Sequence, residues 1–203
     1  MTNCEDVLVT SPKRRRDAAQ TRQDLIDVAR QRFAHDGYAA TTVREIADQA
    51  GVNVALISRY FSSKEGLFEA CLNGAFTDVR RGAEETSPGT EDFAARLARR
   101  LGDPASDDRM RTGLLLLIRT SGDERIDQMR GEFLRTMSEK MAAGAGHPVR
   151  AEGDLLRAQM LLAAIVGIVM LRNTAGMQPL GSAGADDLLE PVTDLVAALL
   201  PRV

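Results

Sequence analysis

The 203-residue chain has no tryptophan, two tyrosines, two cysteines and two histidines, and each scarcity removes a class of protein. Cys4 and Cys71 lie far apart and in no metal-ligand or redox spacing. Neither a disulfide framework nor a thiolate metal site is expected, and a reduced cytoplasmic setting fits. His35 and His147 sit in no triad or metal motif, and no glycine-rich phosphate loop is present, so neither catalysis nor a cofactor is expected. Runs of β-branched residues are scarce, and no stretch alternates polar with apolar in the manner of a strand. Met1 to Thr10 carries acids and no apolar segment, unlike a secretory signal. The longest apolar run, Met160 to Leu171, is shorter than the roughly 20 residues that a bilayer requires. It reads as a buried helix, and no membrane partner is expected.

What is present is helical punctuation and an uneven spread of charge. Hydrophobic residues make up 44%, enough for a real core. Although the net charge is −3, the span Lys13 to Lys64 holds ten Lys and Arg against six Asp and Glu. That segment carries +4 and the remainder −7. A basic end on an acidic body suggests that one end meets a polyanion.

Residues 1–17 are polar and irregular and close on Lys13-Arg14-Arg15-Arg16, a flexible basic arm suited to a DNA backbone or minor groove. A first helix is expected from about Ala18 to Asp36, with Leu25, Ala29 and Phe33 on one face, Ile26 beside them and Gly37 at its C′ position. Thr42-Val43-Arg44-Glu45 is a capping box that opens a second helix running to about Ala50. Gly51 can take the turn, and Asn53 suits the N-cap of a short third helix ending near Tyr60 or Phe61. Ser62 to Glu65 forms another capping box and opens a fourth helix. Thr86-Ser87-Pro88-Gly89 reads as a linker, and further helices are expected at about 91–101, 107–121, 124–143, 152–174 and 186–200.

Ala47, Gly51 and Ile57 stand where a helix-turn-helix needs a small crossing residue, a turn residue tolerant of left-handed geometry and a branched plug. Ile46, Val52 and Leu56 complete a miniature core. The wider string runs from Ala29, Phe33 and Gly37-Tyr38 through Thr41-Thr42-Val43-Arg44-Glu45-Ile46-Ala47 and Ala50-Gly51-Val52 to Ile57, Tyr60-Phe61, Lys64-Glu65 and Leu67. It resembles the DNA-binding signature of TetR-family transcriptional regulators. The resemblance covers the first third of the chain; the rest matches in helix number, length and ending.

The resemblance implies an all-α fold of about nine helices. A three-helix DNA-binding domain at 18–64 would precede a helical bundle at 65–203 for ligand binding and dimerisation. It further implies that Thr42 contacts phosphate through its hydroxyl and helix end. Arg44 would reach a base edge or phosphate, and Asn53, Val54, Ala55, Ser58 and Arg59 would face the major groove. Tyr60 and Lys64 would hold flanking phosphates. Val54 and Ser58 depart from the family's usual basic or glycine residue and aromatic, which bears on base preference. Independently, Arg44 and Arg59 have the planar fork suited to guanine, and Lys64 is a point charge suited to phosphate. Arg44 has a rival role as an ion-pair partner of Asp48, four residues on.

Within the last third, the run from Met160 is apolar all round, so one face is expected on its own core and another on a second subunit, with Ala163, Ala164 and Gly167 permitting close helix approach. Leu188, Val192, Leu195 and Leu199 repeat along the final helix, with Val196 alongside. The resemblance implies a four-helix bundle across a twofold axis built from these two helices. Met129, Phe133, Met137 and Met141 share a helical face that could border an unidentified small apolar effector. Leu114, Leu117 and Ile118 would complete the cavity, with Arg119 as a polar anchor. The expected function is sequence-specific binding of double-stranded DNA at an inverted-repeat operator by a homodimer, a repressor released by that effector. The rival is a dimeric ligand-binding or protein-interaction module without DNA recognition.

Overall fold

The computed structural model describes residues 12–80, 90–119, 121–172, 174 and 176–201, and among these the regular structure is helical throughout. Four helices form the N-terminal part: α1 (Pro12–His35), α2 (Val43–Gln49), α3 (Ala55–Phe61) and α4 (Lys64–Arg80). Five follow: α5 (Thr90–Gly102), α6 (Pro104–Ile118), α7 (Glu124–Gly144), α8 (Glu152–Arg172) and α9 (Ala185–Leu199). A 3-10 turn at Leu180–Ser182 precedes α9.

The boundaries follow the sequence signals with one marked exception. Helix α1 begins at Pro12, so Lys13 to Arg16 continue a helix rather than an irregular arm. Proline at the first helical position loses no hydrogen bond, and lysine and arginine are good helix formers. The rest of the expected arm, Cys4 and the linker at Thr86 to Gly89 lie outside the described residues.

Helix α1 buries Leu25, Ile26, Ala29 and Phe33 against Leu67, Phe68, Cys71 and Leu72 of α4. Helix α6 packs on both through Leu114 and Leu117, and one continuous core runs on into α9. Three of the eight aromatic residues meet at this junction. Phe33, Tyr38 and Phe68 form a triangle with ring centroids 5.3–5.6 Å apart, two of the pairs edge-to-face. Arg130 of α7 lies 5.6 Å from the Phe68 ring, donates to the Leu116 carbonyl at 2.8 Å and pairs with Asp127. The buried charge is therefore held on several sides.

One expectation about the C-terminal helices needs correction. The α9 stripe of Leu188, Val192 and Val196 is buried inside the protomer, leaving only Leu195 and Leu199 half-buried. Helix α5 covers it at very close range: a Cβ added at Gly102 would stand 2.4 Å from the backbone nitrogen of Ala185. Helix α8 packs one face on the core of its own protomer and leaves another uncovered. Ala158, Leu161, Leu162, Ile165 and Val169 face the core, whereas Leu156, Met160, Ala163 and Leu171 are exposed. By length and composition alone this 21-residue helix is apolar enough to cross a membrane, but its buried face is that of a core helix.

Candidate nucleic-acid interface

Seven-residue helices do not hold themselves together in water, so α2 and α3 depend on caps and neighbours. Thr42 and Glu45 cap α2 reciprocally. The Thr42 N–H and hydroxyl both donate to Glu45 Oε2 at 2.8 Å, and the Glu45 N–H donates to Thr42 Oγ1 at 3.3 Å. The bond from the Thr42 backbone, then that from its hydroxyl, holds the Glu45 carboxyl below its ordinary pKa. A hydroxyl has one proton, and Thr42 commits it to Glu45. The phosphate contact implied for this hydroxyl therefore requires that bond to be given up.

Arg32 of α1 fastens the other side of α2, a role that sequence reasoning missed because nothing local marks it. Its Nε donates to Gln49 Oε1 at 2.7 Å, and its Nη1 lies 3.4 Å from Asp36 Oδ2 and 3.8 Å from Glu45 Oε1. Arg44, by contrast, is exposed and makes no ion pair with Asp48 among the described residues.

The turn into α3 forms as the residue types require. Gly51 takes φ +67°, and the Val52 N–H donates to the Ala47 carbonyl at 3.0 Å. Asn53 caps through its side chain, Oδ1 accepting from the Ala55 N–H at 2.8 Å, with regular helix starting at Ala55. Ile57 and Phe61 are buried, as are Ile46 and Ala47 of α2, and all four belong to the one core. That fixes which side of α3 faces out: Asn53, Val54, Ala55, Ser58 and Arg59 are all exposed. Tyr60 is half-buried on the flank, its ring 6.2 Å from that of Phe61 and edge-to-face with it.

The step from α3 to α4 differs from expectation by one residue. Ser63, not Ser62, caps α4, its Oγ accepting from the Gly66 N–H at 3.1 Å. Ser62 takes φ +67°, a left-handed conformation that a non-glycine residue rarely adopts. This tight reversal presses α4 against the end of α3. A Cβ at Gly66 would lie 2.1 Å from the Phe61 carbonyl oxygen. Gly66 is thus a structural requirement of the interface; a glycine in the first turn of a helix was the overlooked signal. Lys64 is half-buried, with Nζ 4.2 Å from the centre of the Tyr38 ring, and burial lowers its pKa. Burial likewise raises the Tyr38 phenol, with the Glu65 carboxylate adding to the shift.

The residues expected around an effector are not alike in position. Leu114 and Met137 are core residues, and Met129 and Phe133 are half-buried against that core. Ile118, in the last turn of α6, is 50% exposed. Arg119, expected as a polar anchor, has a structural duty in the fold. Its Nη1 donates to the Ala34 carbonyl at 3.1 Å and to that of His35, capping the end of α1 just ahead of Gly37. Among the described residues, no group of three or more His, Cys, Asp or Glu could hold a metal ion.

Comparison with known proteins bears on the whole chain. The family model described as "Bacterial regulatory proteins, tetR family" matches residues 25–71, and "Tetracyclin repressor-like, C-terminal domain" matches residues 91–200. The transcriptional repressor KstR2 of Rhodococcus jostii is 41% identical over 58 residues, a match spanning 29% of this chain and only 28% of KstR2. The transcriptional regulator BetI of Agrobacterium fabrum is 24% identical over 185 residues, 89% of each chain. In fold the chain is similar to the transcriptional regulator FadR of Bacillus subtilis, solved in complex with stearoyl-CoA. The TM-score is 0.58 at 20% identity, covering 89% of this chain and 98% of that one.

Proposed function

Because the chain belongs to the TetR family of bacterial regulatory proteins, and is accordingly a helix-turn-helix DNA-binding regulator of transcription, we propose that it acts in the cytoplasm as a homodimeric repressor, released from a palindromic operator by a small apolar molecule. The observation that carries this reading is the outward row on α3. Asn53, Val54, Ala55, Ser58 and Arg59 are exposed over a helix plugged from behind by Ile57 and Phe61. A helix so seated can enter a major groove as a rigid body, with Arg44 and Arg59 offering forks to guanine and Tyr60 and Lys64 beside the backbone.

Dimerisation is supported by the uncovered face of α8. Leu156, Met160, Ala163 and Leu171 fall on one stripe, and Gly167 has no neighbour within 4 Å of a Cβ position. A second copy would cover this face and space two α3 helices about 34–36 Å apart, one turn of duplex. The half-buried Leu195 and Leu199 of α9 would border the contact, and Ala164 would lie beside it. KstR2 is a repressor by name, and FadR was solved with an acyl thioester. Those are properties of the relatives; here they support repression and an apolar effector bordered by the α7 methionine face. A ligand shifting α6 would act on α1 through Arg119. The domain division at 64/65 falls in the first turn of α4, so that helix would carry motion between the halves.

Selection of bound sequences from a random duplex pool tests the reading. An enriched inverted repeat is expected, with Arg59→Ala relaxing its sequence preference. A chain that enriches nothing, or sediments as a monomer, would overturn it.

A further inference from the structure

We propose that Arg22 of α1, a residue given no role by the helix-turn-helix signature, is a further phosphate-holding residue that extends the DNA interface from the flank of α3 onto α1. The inference rests on the DNA-binding reading. Its basis is a contiguous cluster: the Arg22 guanidinium stands 5.0 Å from the centre of the Phe61 ring, and the Phe61 ring in turn meets that of Tyr60 at 6.2 Å. These three residues line one open cleft of about 780 Å³ between α1, the end of α3 and α4.

Width decides what such a cation meets. A helix with its side chains is about 10–12 Å across, and the major groove is about 12 Å wide. A helix filling the groove along Ala55, Ser58 and Arg59 leaves its flanks against the sugar–phosphate ridges. Tyr60 and Phe61 close that end of the helix, and the Arg22 guanidinium lies beside the Phe61 ring. A ring contact does not neutralise the guanidinium, whose five N–H donors outnumber what one ring face can engage, so donors remain for a phosphate. It also fixes the side chain before DNA arrives, so less rotamer freedom is lost on binding.

Arg22 is exposed, and no carboxylate forms an ion pair with it among the described residues. Asp27 and Glu69 also line the cleft, and Asp27 accepts a hydrogen bond from the Gln23 amide at 3.0 Å. The cleft as a whole is therefore no anion basin, and the inference concerns its exposed cation. Arg30, the other arginine on its wall, is buried.

The test is the salt dependence of binding by the full chain to two labelled duplexes, one selected from a random pool and one of random sequence. Each phosphate contact contributes about 0.9 to the slope of log K against log salt, so Arg22→Ala should lower the slope by about 1.8 per dimer. The loss should be equal on both duplexes, because a backbone contact carries no sequence information. Arg22→Lys should keep the slope, and Arg22→Gln, which keeps a planar group over Phe61 without charge, should lose it. If Arg22→Ala does not fold, Arg22→Gln gives the answer alone. An unchanged slope in the neutral variants, even with a lowered Tm, would reduce Arg22 to a packing residue and overturn the inference. A wild-type chain that binds neither duplex would instead overturn the DNA-binding reading itself.

Discussion

Helices α2 and α3 are seven residues long, whereas α7 and α8 are 21, and the two pairs are specified in different ways. The short pair cannot persist on propensity, so nearly every residue in and around it has a fixed duty as cap, turn or plug. The long pair needs only a stripe of apolar residues, and a stripe does not say what will cover it. The DNA-binding end is consequently rigid in its tolerance of change, and the C-terminal bundle permissive at many positions.

The largest effect expected from this contrast comes from one plug residue. Ile57 is 2% exposed between α2 and α3, and Ile57→Ala should cost about 2–5 kcal/mol through lost burial and a residual cavity. The same change at Ile118, half exposed on α6, should cost less than about 0.5 kcal/mol. Urea unfolding of the two variants measures the difference, and equal costs would break the comparison. Gly66→Ala ranks next. Its Cβ would collide with the backbone oxygen of Phe61, which no side-chain rotation relieves, so about 1–3 kcal/mol should be lost. Because the clash sits where α3 meets α4, operator affinity should fall in the same variant. A variant of wild-type stability would show that the reversal at Ser62 is looser than its geometry implies.

How far the sequence could be read follows the same division. Thr42, Gly51 and Asn53 announce their positions through chemistry confined to three or four neighbours, and the structure places caps and turn accordingly. The cap of α4 misled by one residue because Ser62 and Ser63 are chemically identical. Only the left-handed backbone at Ser62 separates them. Arg32, Arg119 and Gly66 act across the fold. Arg119 reaches carbonyls 84 and 85 residues away, and no local pattern marks such a contact. For α9 the period was legible, but not the covering surface: Leu188, Val192 and Val196 face α5 in their own protomer. The exposed row on α8 was legible as a second apolar face, though which residues take it, Leu156, Met160 and Leu171 among them, depends on how the helix is rotated in the core.

Smaller effects sharpen the contrast at the caps. Thr42→Ala removes the one hydroxyl that both accepts from the Glu45 N–H and donates to its carboxylate, and should cost about 0.5–2 kcal/mol. The comparable cap on the long helix α7 is Asp123, which accepts from Arg125 and Ile126 at 3.0 and 3.3 Å. Asp123→Ala should fall at the lower end of that range, since α7 has a buried face to hold it. Thermal unfolding of the pair decides, and a larger loss at Asp123 would reverse the ranking.

The smallest effect is one of pH, and its sign follows from Glu45. Its folded pKa lies below the ordinary 4.5 because Thr42 donates to the charged carboxylate. The stability it contributes is therefore present above pH 4.5 and lost as pH falls through the lower, folded value. Glu65, Asp127 and Asp154 are depressed likewise, chiefly by the Ser63 hydroxyl and by the backbone N–H groups of Ser121 and Arg150 respectively. The whole protein should weaken in acid, and that common loss conceals the contribution of any one cap. Subtraction isolates it. The other three carboxylates titrate alike in wild type and Thr42→Ala, so their contributions cancel in the difference. The gap between the two chains should then narrow as pH drops below 4.5. The backbone N–H at position 42 stays in both chains, so the gap reports the hydroxyl alone, and a gap that stays constant through that range would mean that the hydroxyl steadies α2 without the help of the Glu45 charge.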